Sequence, residues 1–500
     1  MKKILIAVFA AFVLAAWVVP AMAADTTFYG TYRVRLFNTN NAADFASGNK
    51  QKTYTGTGST TAEGAINTDN NSWIDQRFRL GIESKASDQL RGFVQLEIGD
   101  LSEGNRSNIW GTSNTATTSL AVSARQAYLS FNAGPIRVKA GRQVFGDTLD
   151  GGQSFRVADD KVYYGLADGG LVIVSRVDAF ILTTKALEPV TLYLGYAKLV
   201  EGSVTSATTD ARDRDNTLYI LQATMAPSDT LKAGAYFLYD RKRDAMTTAI
   251  GADKPWWLGV GVDAKLDPIN LKVHAVYKGG TKEKGCQPGS CGIAAGGSAD
   301  DLGYAAYALD ADVSSMVGPA KVGFAAGMGS GDKSAQDKKS KTFSGIAPSY
   351  GQQLGARPAI FFDAGEVSNG GAALSRGNSN AITSDGSTLG NVTFMELYGS
   401  FKATDELSLN ALAAGFWHTE KKNASSATNT NTWNSKLGTE VDLVAVYKLY
   451  KELALVAQAA WFMPGEGILT SQNTAGNNTT GSIASKDAVS EYFARIQYDF

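Results

Sequence analysis

Short segments in which apolar and polar side chains alternate recur along this chain of 500 residues. In the first of them, Phe28, Tyr32 and Leu36 share one face of an extended strand, whereas Arg33 and Arg35 share the other. The same period of two recurs at 74–83, 90–98, 256–265 and 269–275. Strands of about 9–11 residues with this pattern cross an outer membrane as a closed barrel, with lipid on one face and water on the other. The repetition therefore predicts an all-β, antiparallel transmembrane barrel.

The N-terminal segment has the features of a secretory signal peptide. Lys2 and Lys3 precede the apolar residues 4–19, and the small residues Ala21 and Ala23 follow. Cleavage is predicted before residue 24, which makes 1–23 the signal peptide and 24–500 a single barrel domain. No later stretch contains the ~18 consecutive apolar residues that a spanning helix needs. Without such a helix, a closed β-barrel is the structure with which the chain can span a membrane.

The connections between segments alternate between short turns and long polar loops, which is the layout of outer-membrane barrels. We predict about eighteen strands, starting near residues 26, 73, 90, 123, 136, 170, 190, 216, 230, 256, 269, 302, 319, 392, 407, 438, 453 and 489. Residues 161–166 are a further candidate, but a strand there would break the alternation of turns. Sixteen or twenty strands are alternatives, since hairpins could lie within 330–391. An even number places both termini on the periplasmic side.

Composition excludes several classes of function. The 47 basic and 48 acidic side chains give a net charge of −1, so no basic surface for nucleic acid is expected. The two histidines, His274 and His418, lie in no recognisable catalytic motif, and we predict no enzymatic activity. The sequence also lacks a haem-attachment motif and a phosphate-binding loop, so no cofactor is predicted.

The last ten residues, EYFARIQYDF, end in an aromatic residue, and Tyr492, Ala494, Ile496, Tyr498 and Phe500 form one apolar face. This segment resembles the terminal strand of Gram-negative outer-membrane proteins, and the resemblance implies recognition by the barrel-assembly machinery. Residues 77–100, 138–147 and 438–467 resemble the porin and alginate-export-like barrel families. The resemblance implies a diffusion channel or an exporter in the Gram-negative outer membrane, but it does not indicate the solute.

Charged residues in the predicted strands are candidates for lining the pore, because a charge on the lipid face at the bilayer midplane costs about 2–4 kcal/mol. The candidates are Arg33, Arg35, Arg77, Arg79, Arg91, Arg137 and Lys139, with Asp75 and Glu97 on the same faces. They could attract anions, or they could form a network of paired charges that only fills the wall. In a regular strand, Arg142 would lie on the opposite face from Arg137 and Lys139, so it needs a β-bulge to point inward.

The segment after residue 146 is a candidate constriction loop. This loop, with Asp147, Asp150 and Arg156 as its candidate residues, would fold into the barrel, where Asp147, Asp150, Asp159 and Asp160 would oppose the basic strip; an ordinary outward loop is the alternative. Late inward positions are acidic, among them Glu396, Glu440 and Asp442, and would form the opposite wall.

Cys286 and Cys291 lie five residues apart in a predicted loop. In an oxidising compartment we predict a disulfide between them. A metal site would need further ligands nearby, and we predict no metal.

Taken together, the sequence predicts an outer-membrane porin that lets small hydrophilic, anionic solutes diffuse passively and that contacts outer-membrane lipid. A conduit for an exported polysaccharide or for a partner electron-transfer cytochrome is the alternative, followed by a structural or adhesive barrel. The sequence is compatible with a monomer or a homotrimer.

Overall fold

The computed structural model describes residues 25–40, 71–98, 122–149, 170–201, 215–243, 252–283, 302–333, 338–346, 357–362, 389–421, 435–467 and 488–500. The predicted signal peptide, the strand candidate 161–166, two candidate constriction-loop residues (Asp150 and Arg156) and the predicted disulfide Cys286–Cys291 lie outside these residues.

Twenty strands are present in the described residues. They are β1 (Asp25–Asn40), β2 (Asn71–Ser87), β3 (Leu90–Ile98), β4 (Val122–Ala133), β5 (Ile136–Gly146), β6 (Val174–Leu187), β7 (Val190–Val200), β8 (Asn216–Ser228), β9 (Leu231–Arg241), β10 (Asp253–Leu266), β11 (Ile269–Lys282), β12 (Leu302–Tyr304), β13 (Ala306–Val317), β14 (Ala320–Gly329), β15 (Lys339–Ser340), β16 (Val392–Lys402), β17 (Leu407–His418), β18 (Lys436–Tyr450), β19 (Leu453–Pro464) and β20 (Val489–Asp499).

Eighteen wall strands form a closed antiparallel barrel, which confirms the predicted fold. Each wall strand pairs with the next along the chain, and β1 closes the sheet by pairing with β20, from Thr31 opposite Asp499 to Asn40 opposite Ser490. β12 and β13 both pair with β11 and make up one wall strand that is interrupted at Ala305. β15 pairs in parallel with β12 outside this succession, so the long 330–391 connection adds no hairpin to the wall in the described residues.

The observed strand starts agree with the predicted ones to within three residues, except for β6. We expected β6 to begin near residue 170, but it begins at Val174. The reason is that Asp147 accepts hydrogen bonds from the backbone N–H groups of Val172 and Ile173, which occupies these amides before the strand starts.

Side chains alternate between an exposed outer face and a buried inner face. On β6 and β16, the outward residues Phe180 and Leu397 are 61% and 59% exposed, whereas the inward residues Ala179 and Phe394 are 4% and 0% exposed. An exposed apolar face on a closed barrel is the surface that lipid covers. The inward residues form the core together with segments of loop that enter the barrel.

The terminal strand follows the predicted parity. Tyr498 and Phe500 lie on the outer face, 45% and 43% exposed. The backbone of Phe500 pairs with Gly30, through N–H to O=C bonds of 3.0 and 2.9 Å in the two directions. Its ring packs against Phe78, with 6.0 Å between centroids. The terminal aromatic residue therefore helps to close the barrel between β20 and β1.

Some inward tyrosines lie flat over a glycine on the neighbouring strand. Tyr398 on β16 is directly opposite Gly323 on β14, and its ring occupies the space that a Cβ at position 323 would need. The hydroxyl of Tyr398 donates to Oδ1 of Asp312 at 3.0 Å. A side chain at 323 would therefore displace both the ring and this hydrogen bond.

We expect Gly323→Ala to lower the free energy of unfolding by about 1–3 kcal/mol, the usual cost of overpacking a well-filled site. Denaturant unfolding of the barrel in lipid vesicles measures this change. Gly399→Ala is the matched control, because a Cβ there would meet the carbonyl oxygen of Lys321 at an ordinary 3.6 Å. Equal stability of the two variants would contradict the packing argument.

Candidate pore and constriction

The predicted basic strip lies on the inner face of β1–β5. It comprises Arg33, Arg35, Arg77, Arg79, Arg91, Arg137 and Lys139, and the predicted acidic residues Asp75 and Glu97 lie on the same face. The outward neighbours Tyr32 and Leu36 are exposed to the lipid side, while Arg35 and Asp75 are each 1% exposed. Because successive side chains of a strand point to opposite faces, the charged set faces the lumen.

Two carboxylates hold three of the arginines. Arg35 donates from Nε and Nη2 to Oδ1 and Oδ2 of Asp75, at 2.7 and 2.6 Å. Arg79 and Arg125 both contact Oε2 of Glu97, Arg125 from Nη1 at 2.9 Å. Two guanidinium groups therefore contact a single carboxylate at this point of the wall.

Arg125 escaped prediction because a bulge shifts the parity of β4. The pairing of β3 with β4 changes register between Gln95 and Leu96, so that Arg125 and Gln126 are both buried although they are adjacent in sequence. A β-bulge places two residues opposite one and re-aims a side chain. Simple alternation along β4 does not reveal this.

Arg495 on β20 also belongs to this part of the wall. It lies directly opposite Arg35 in the closing strand pair and is 4% exposed. The signal for it is present in the sequence, since Arg495 has the same parity as the inward residues Glu491 and Gln497. The basic strip thus continues across the closure of the barrel.

Towards the periplasmic end, the strip is held by weaker contacts. Arg91 Nη1 lies 3.3 Å from Oε1 of Glu83, and Arg137 Nε donates to Oγ of Ser130 at 3.1 Å. The ammonium group of Lys139 lies above the ring of Tyr128. These partly exposed charges extend the strip along the axis of the barrel.

Arg142 faces outward. The alternation of side chains along β5 predicts this orientation, since no bulge redirects Arg142 inward. It makes a two-pronged ion pair with Asp178 on β6, with both N–O distances at 2.9 Å, and the two side chains are about half exposed. Lys198 lies opposite Asp178 on β7 and contacts Asp215. This row of charges belongs to the outer surface of the barrel near its extracellular end.

A row of outward tyrosines lies one step nearer the periplasm. Tyr196 meets Tyr219 edge to face, with 5.7 Å between centroids, and Tyr219 stacks on Tyr239 at 5.9 Å. Aromatic girdles mark the membrane interface of such barrels, and charges cost about 0–1 kcal/mol at that level. The tyrosine row therefore explains why the Arg142–Asp178 pair is tolerated on the outer face.

The segment after β5 enters the barrel. The hydroxyl of Tyr236 and the backbone N–H of Val172 each donate to Oδ2 of Asp147 at 2.9 Å. The side-chain amide of Gln222 donates to the carbonyl oxygen of Thr148 at 2.6 Å. The candidate constriction residue Asp147 is thus bound to the inner face of β9, and residues 147–149 narrow the lumen on the β8–β10 side.

The opposite wall carries carboxylates separated by small residues. Hydrogen-bonded register aligns Asp312, Ala325, Glu396, Ala414 and Glu440 across β13, β14, β16, β17 and β18. We call the three carboxylates the acid row. Because the side chains of the alanines between them are small, there is room on the inner side of the wall for a further segment of chain.

Residues 357–362 fill this space and are bound by the wall carboxylates. The backbone N–H groups of Ile360 and Phe361 donate to the two oxygens of Glu440, at 2.7 and 2.9 Å. The N–H of Ala359 donates to Oδ2 of Asp442 at 2.9 Å. We call residues 357–362 the inserted segment; hydrogen bonds from backbone N–H groups to charged acceptors are among the stronger ones in proteins.

Aromatic packing completes the attachment of the inserted segment. Phe361 stacks on Phe416 with 3.8 Å between centroids, and Phe362 meets Phe394 edge to face at 5.3 Å. All four rings are at most 3% exposed. The segment is therefore packed into the barrel as a part of its core.

Two loop segments meet inside the lumen. Ile346, in the connection between β14 and β16, donates its N–H to the carbonyl oxygen of Val172 at 2.8 Å. Ser344 accepts hydrogen bonds from Nε1 of Trp257 at its carbonyl oxygen, at 3.0 Å, and from Nζ of Lys278 at its Oγ, at 2.7 Å. Inward side chains of β10 and β11 thus hold one segment, which in turn contacts the other.

Comparison with known proteins identifies the class of this barrel. The sequence profile of the Gram-negative porin family matches residues 10–373, and the chain belongs to that family. The chain is an outer-membrane channel for small solutes, in agreement with the predicted fold and location. Comparison with curated protein sequences gave no match. Within the described residues, no helix is long and apolar enough to cross a membrane.

Solved structures of similar fold include several from pseudomonads. A BenF-like porin from Pseudomonas fluorescens Pf-5 is 12% identical, with 95% of this chain and 98% of that chain covered and a TM-score of 0.50. OpdQ and OccK8 (OprE) from Pseudomonas aeruginosa are 12% and 13% identical, with TM-scores of 0.49 and 0.48; both alignments cover 95% of this chain and 98% of the other. At such low identity the likeness concerns the fold alone.

Proposed function

We propose that the channel admits small hydrophilic solutes by passive diffusion and that its basic strip favours anions. The observation that carries this proposal is the concentration of arginine and lysine side chains on the inner face of β1–β5 and β20, where Arg79 and Arg125 both contact the one carboxylate of Glu97. Rings or strips of arginine and lysine in a pore attract anions, and a narrow low-dielectric passage strengthens their field.

The contacts made by carboxylates of the opposite wall support the same preference for anions. Glu440 and Asp442 accept hydrogen bonds from the inserted segment, and Arg357 of that segment lies against Asp310. The backbone N–H groups therefore stabilise the first two carboxylates, and the guanidinium group of Arg357 offsets negative charge at Asp310. Because arginine and lysine side chains are concentrated on the inner face of β20 and β1–β5, we expect the field across the pore to draw anions along these strands.

The segments inside the lumen favour small solutes over a threaded partner. Residues 147–149, 170–173, 338–346 and 357–362 all contact the inner wall or one another. A polysaccharide or a cytochrome passing through the barrel would have to displace these contacts. For the outward-facing Tyr498 and Phe500, we propose the role of a signal for barrel assembly.

Single-channel recording under a salt gradient tests the anion preference. We expect the wild-type reversal potential to show anion selectivity and the variants Arg77→Ala and Arg79→Ala each to move it towards zero, because each removes a positive charge from the lumen face. Arg142→Ala removes the same charge from the outer face and should leave the potential in place. Cation selectivity of the wild type, or an equal shift with Arg142→Ala, would contradict the proposal.

A further inference from the structure

We propose that Arg357 is a selectivity-determining residue of the pore, because its guanidinium group neutralises carboxylates that face the lumen. The inference rests on the proposed function only in that the lumen conducts ions. It assigns to the inserted segment an electrostatic role in addition to its part in narrowing the barrel.

The guanidinium group of Arg357 lies between two wall carboxylates. Its Nη2 is 3.3 and 3.4 Å from the two oxygens of Asp310, and its Nη1 is 3.7 Å from Oε2 of Glu396. The group also lies above the ring of Phe394, 5.5 Å from the centroid, and Arg357 is 1% exposed. A cation buried this deeply is screened little by salt, so it acts strongly on the carboxylates beside it.

Asp310 connects this buried cation to the conducting space. Its side chain is 18% exposed and lines a cavity inside the barrel, together with Asp312, Asp263, Lys272 and His274. Asp263 and Lys272 lie 3.8 Å apart, so their charges offset each other within the cavity wall. Asp310 is thus a carboxylate of the cavity that also contacts a cation of the inserted segment, Arg357.

The source of this charge distinguishes it from the basic strip. Arg357 is contributed by a connection between strands and is not a wall residue, so its replacement leaves the strand pairing of β13 and β16 in place. Without the guanidinium group of Arg357, Asp310 would present more negative charge to ions entering the cavity. Negatively charged positions in a pore favour cations.

Reversal potentials of Arg357 variants under a salt gradient test the inference. We expect Arg357→Gln to shift the potential towards cation selectivity relative to wild type, and Arg357→Lys to recover much of the difference because it restores the charge. Removing both charges in Arg357→Gln/Asp310→Asn should also reverse much of the shift. An unshifted potential in a folded, heat-modifiable Arg357→Gln barrel would overturn the inference.

The outcomes separate this inference from the proposed function. A cation-selective wild type with a further shift in Arg357→Gln would refute the anion preference and support the role of Arg357. An anion-selective wild type with no shift in Arg357→Gln would support the anion preference and refute the role of Arg357. Should Arg357→Gln fail to fold, Asp310→Asn remains decisive: it is expected to shift the potential towards anions, and an unchanged potential would overturn the inference.

Discussion

Replacing Asp75 by alanine is expected to lower the free energy of unfolding by about 3–5 kcal/mol, the usual cost of removing one partner of a buried ion pair. Arg35 and Asp75 are each 1% exposed and are joined by two hydrogen bonds of 2.6 and 2.7 Å. In Asp75→Ala, Arg35 keeps its charge but loses both carboxylate acceptors. Unfolding by guanidinium chloride in lipid vesicles, followed by tryptophan fluorescence, measures the change.

Glu83→Ala provides the matched control for this prediction. Glu83 also pairs with an arginine on the lumen face, but both side chains are more than a fifth exposed and the N–O distance is 3.3 Å. Such a pair contributes about 0–1 kcal/mol. The double replacement Arg35→Met/Asp75→Leu should recover stability, since it removes both charges and fills their volume. If Asp75→Ala and Glu83→Ala had equal effects, burial would not be the source of the stabilisation.

Replacing Glu440 by alanine is expected to release the inserted segment and to enlarge the conductance. Glu440 accepts hydrogen bonds from the N–H groups of Ile360 and Phe361, and each bond to a charged group contributes about 1.5–3 kcal/mol. Because about 1.4 kcal/mol corresponds to a factor of ten in population, the loss of both bonds favours open states of the segment strongly. Single-channel recording should show larger or noisier current steps than wild type.

Glu440→Gln and Glu406→Ala make the experiment specific. The amide of the glutamine keeps one oxygen acceptor, so an intermediate conductance is expected. Glu406 lies on the short turn between β16 and β17, far along the chain from the inserted segment, and its replacement should leave the current step at the wild-type size. An unchanged conductance in Glu440→Ala would show that aromatic packing of Phe361 and Phe362 alone holds the segment.

The wall of the barrel could be predicted because a single physical rule governs it. Lipid on one face and water on the other impose a period of two, and this period is visible in segments such as β10, where Leu258 and Val260 alternate with Gly259 and Gly261. The strand count followed from the alternation of short and long connections. The basic strip followed from the same rule, since charges avoid the lipid face.

The remaining features depend on contacts that carry no periodic signal. Arg125 turns inward at a bulge, which shifts the parity between adjacent residues. The attachment of the inserted segment uses backbone N–H groups of residues 359–361, and every non-proline residue has such a group. The sequence shows the acceptors, Glu440 and Asp442, as inward carboxylates, but it does not show which segment will occupy them.

Arg142 shows how the lipid rule depends on depth. Near the midplane a charge on the outer face is expensive, but near the interface the cost is small. Arg142 lies one step beyond the tyrosine row and has Asp178 as a partner, so the outward position is available to it. The depth of a residue in the membrane depends on how the neighbouring strands are placed along the barrel axis. The sequence of β5 alone does not indicate this placement.

The contact between Ile346 and Val172 makes the two narrowing loops mechanically dependent on each other. The N–H of Ile346 binds the carbonyl oxygen of Val172, whose own N–H binds Asp147, so the loops after β14 and β5 form one continuous chain of hydrogen bonds. We expect segments linked in this way to move in concert, so that closure of the channel is an all-or-none event with a single current level in place of separate sublevels for each loop.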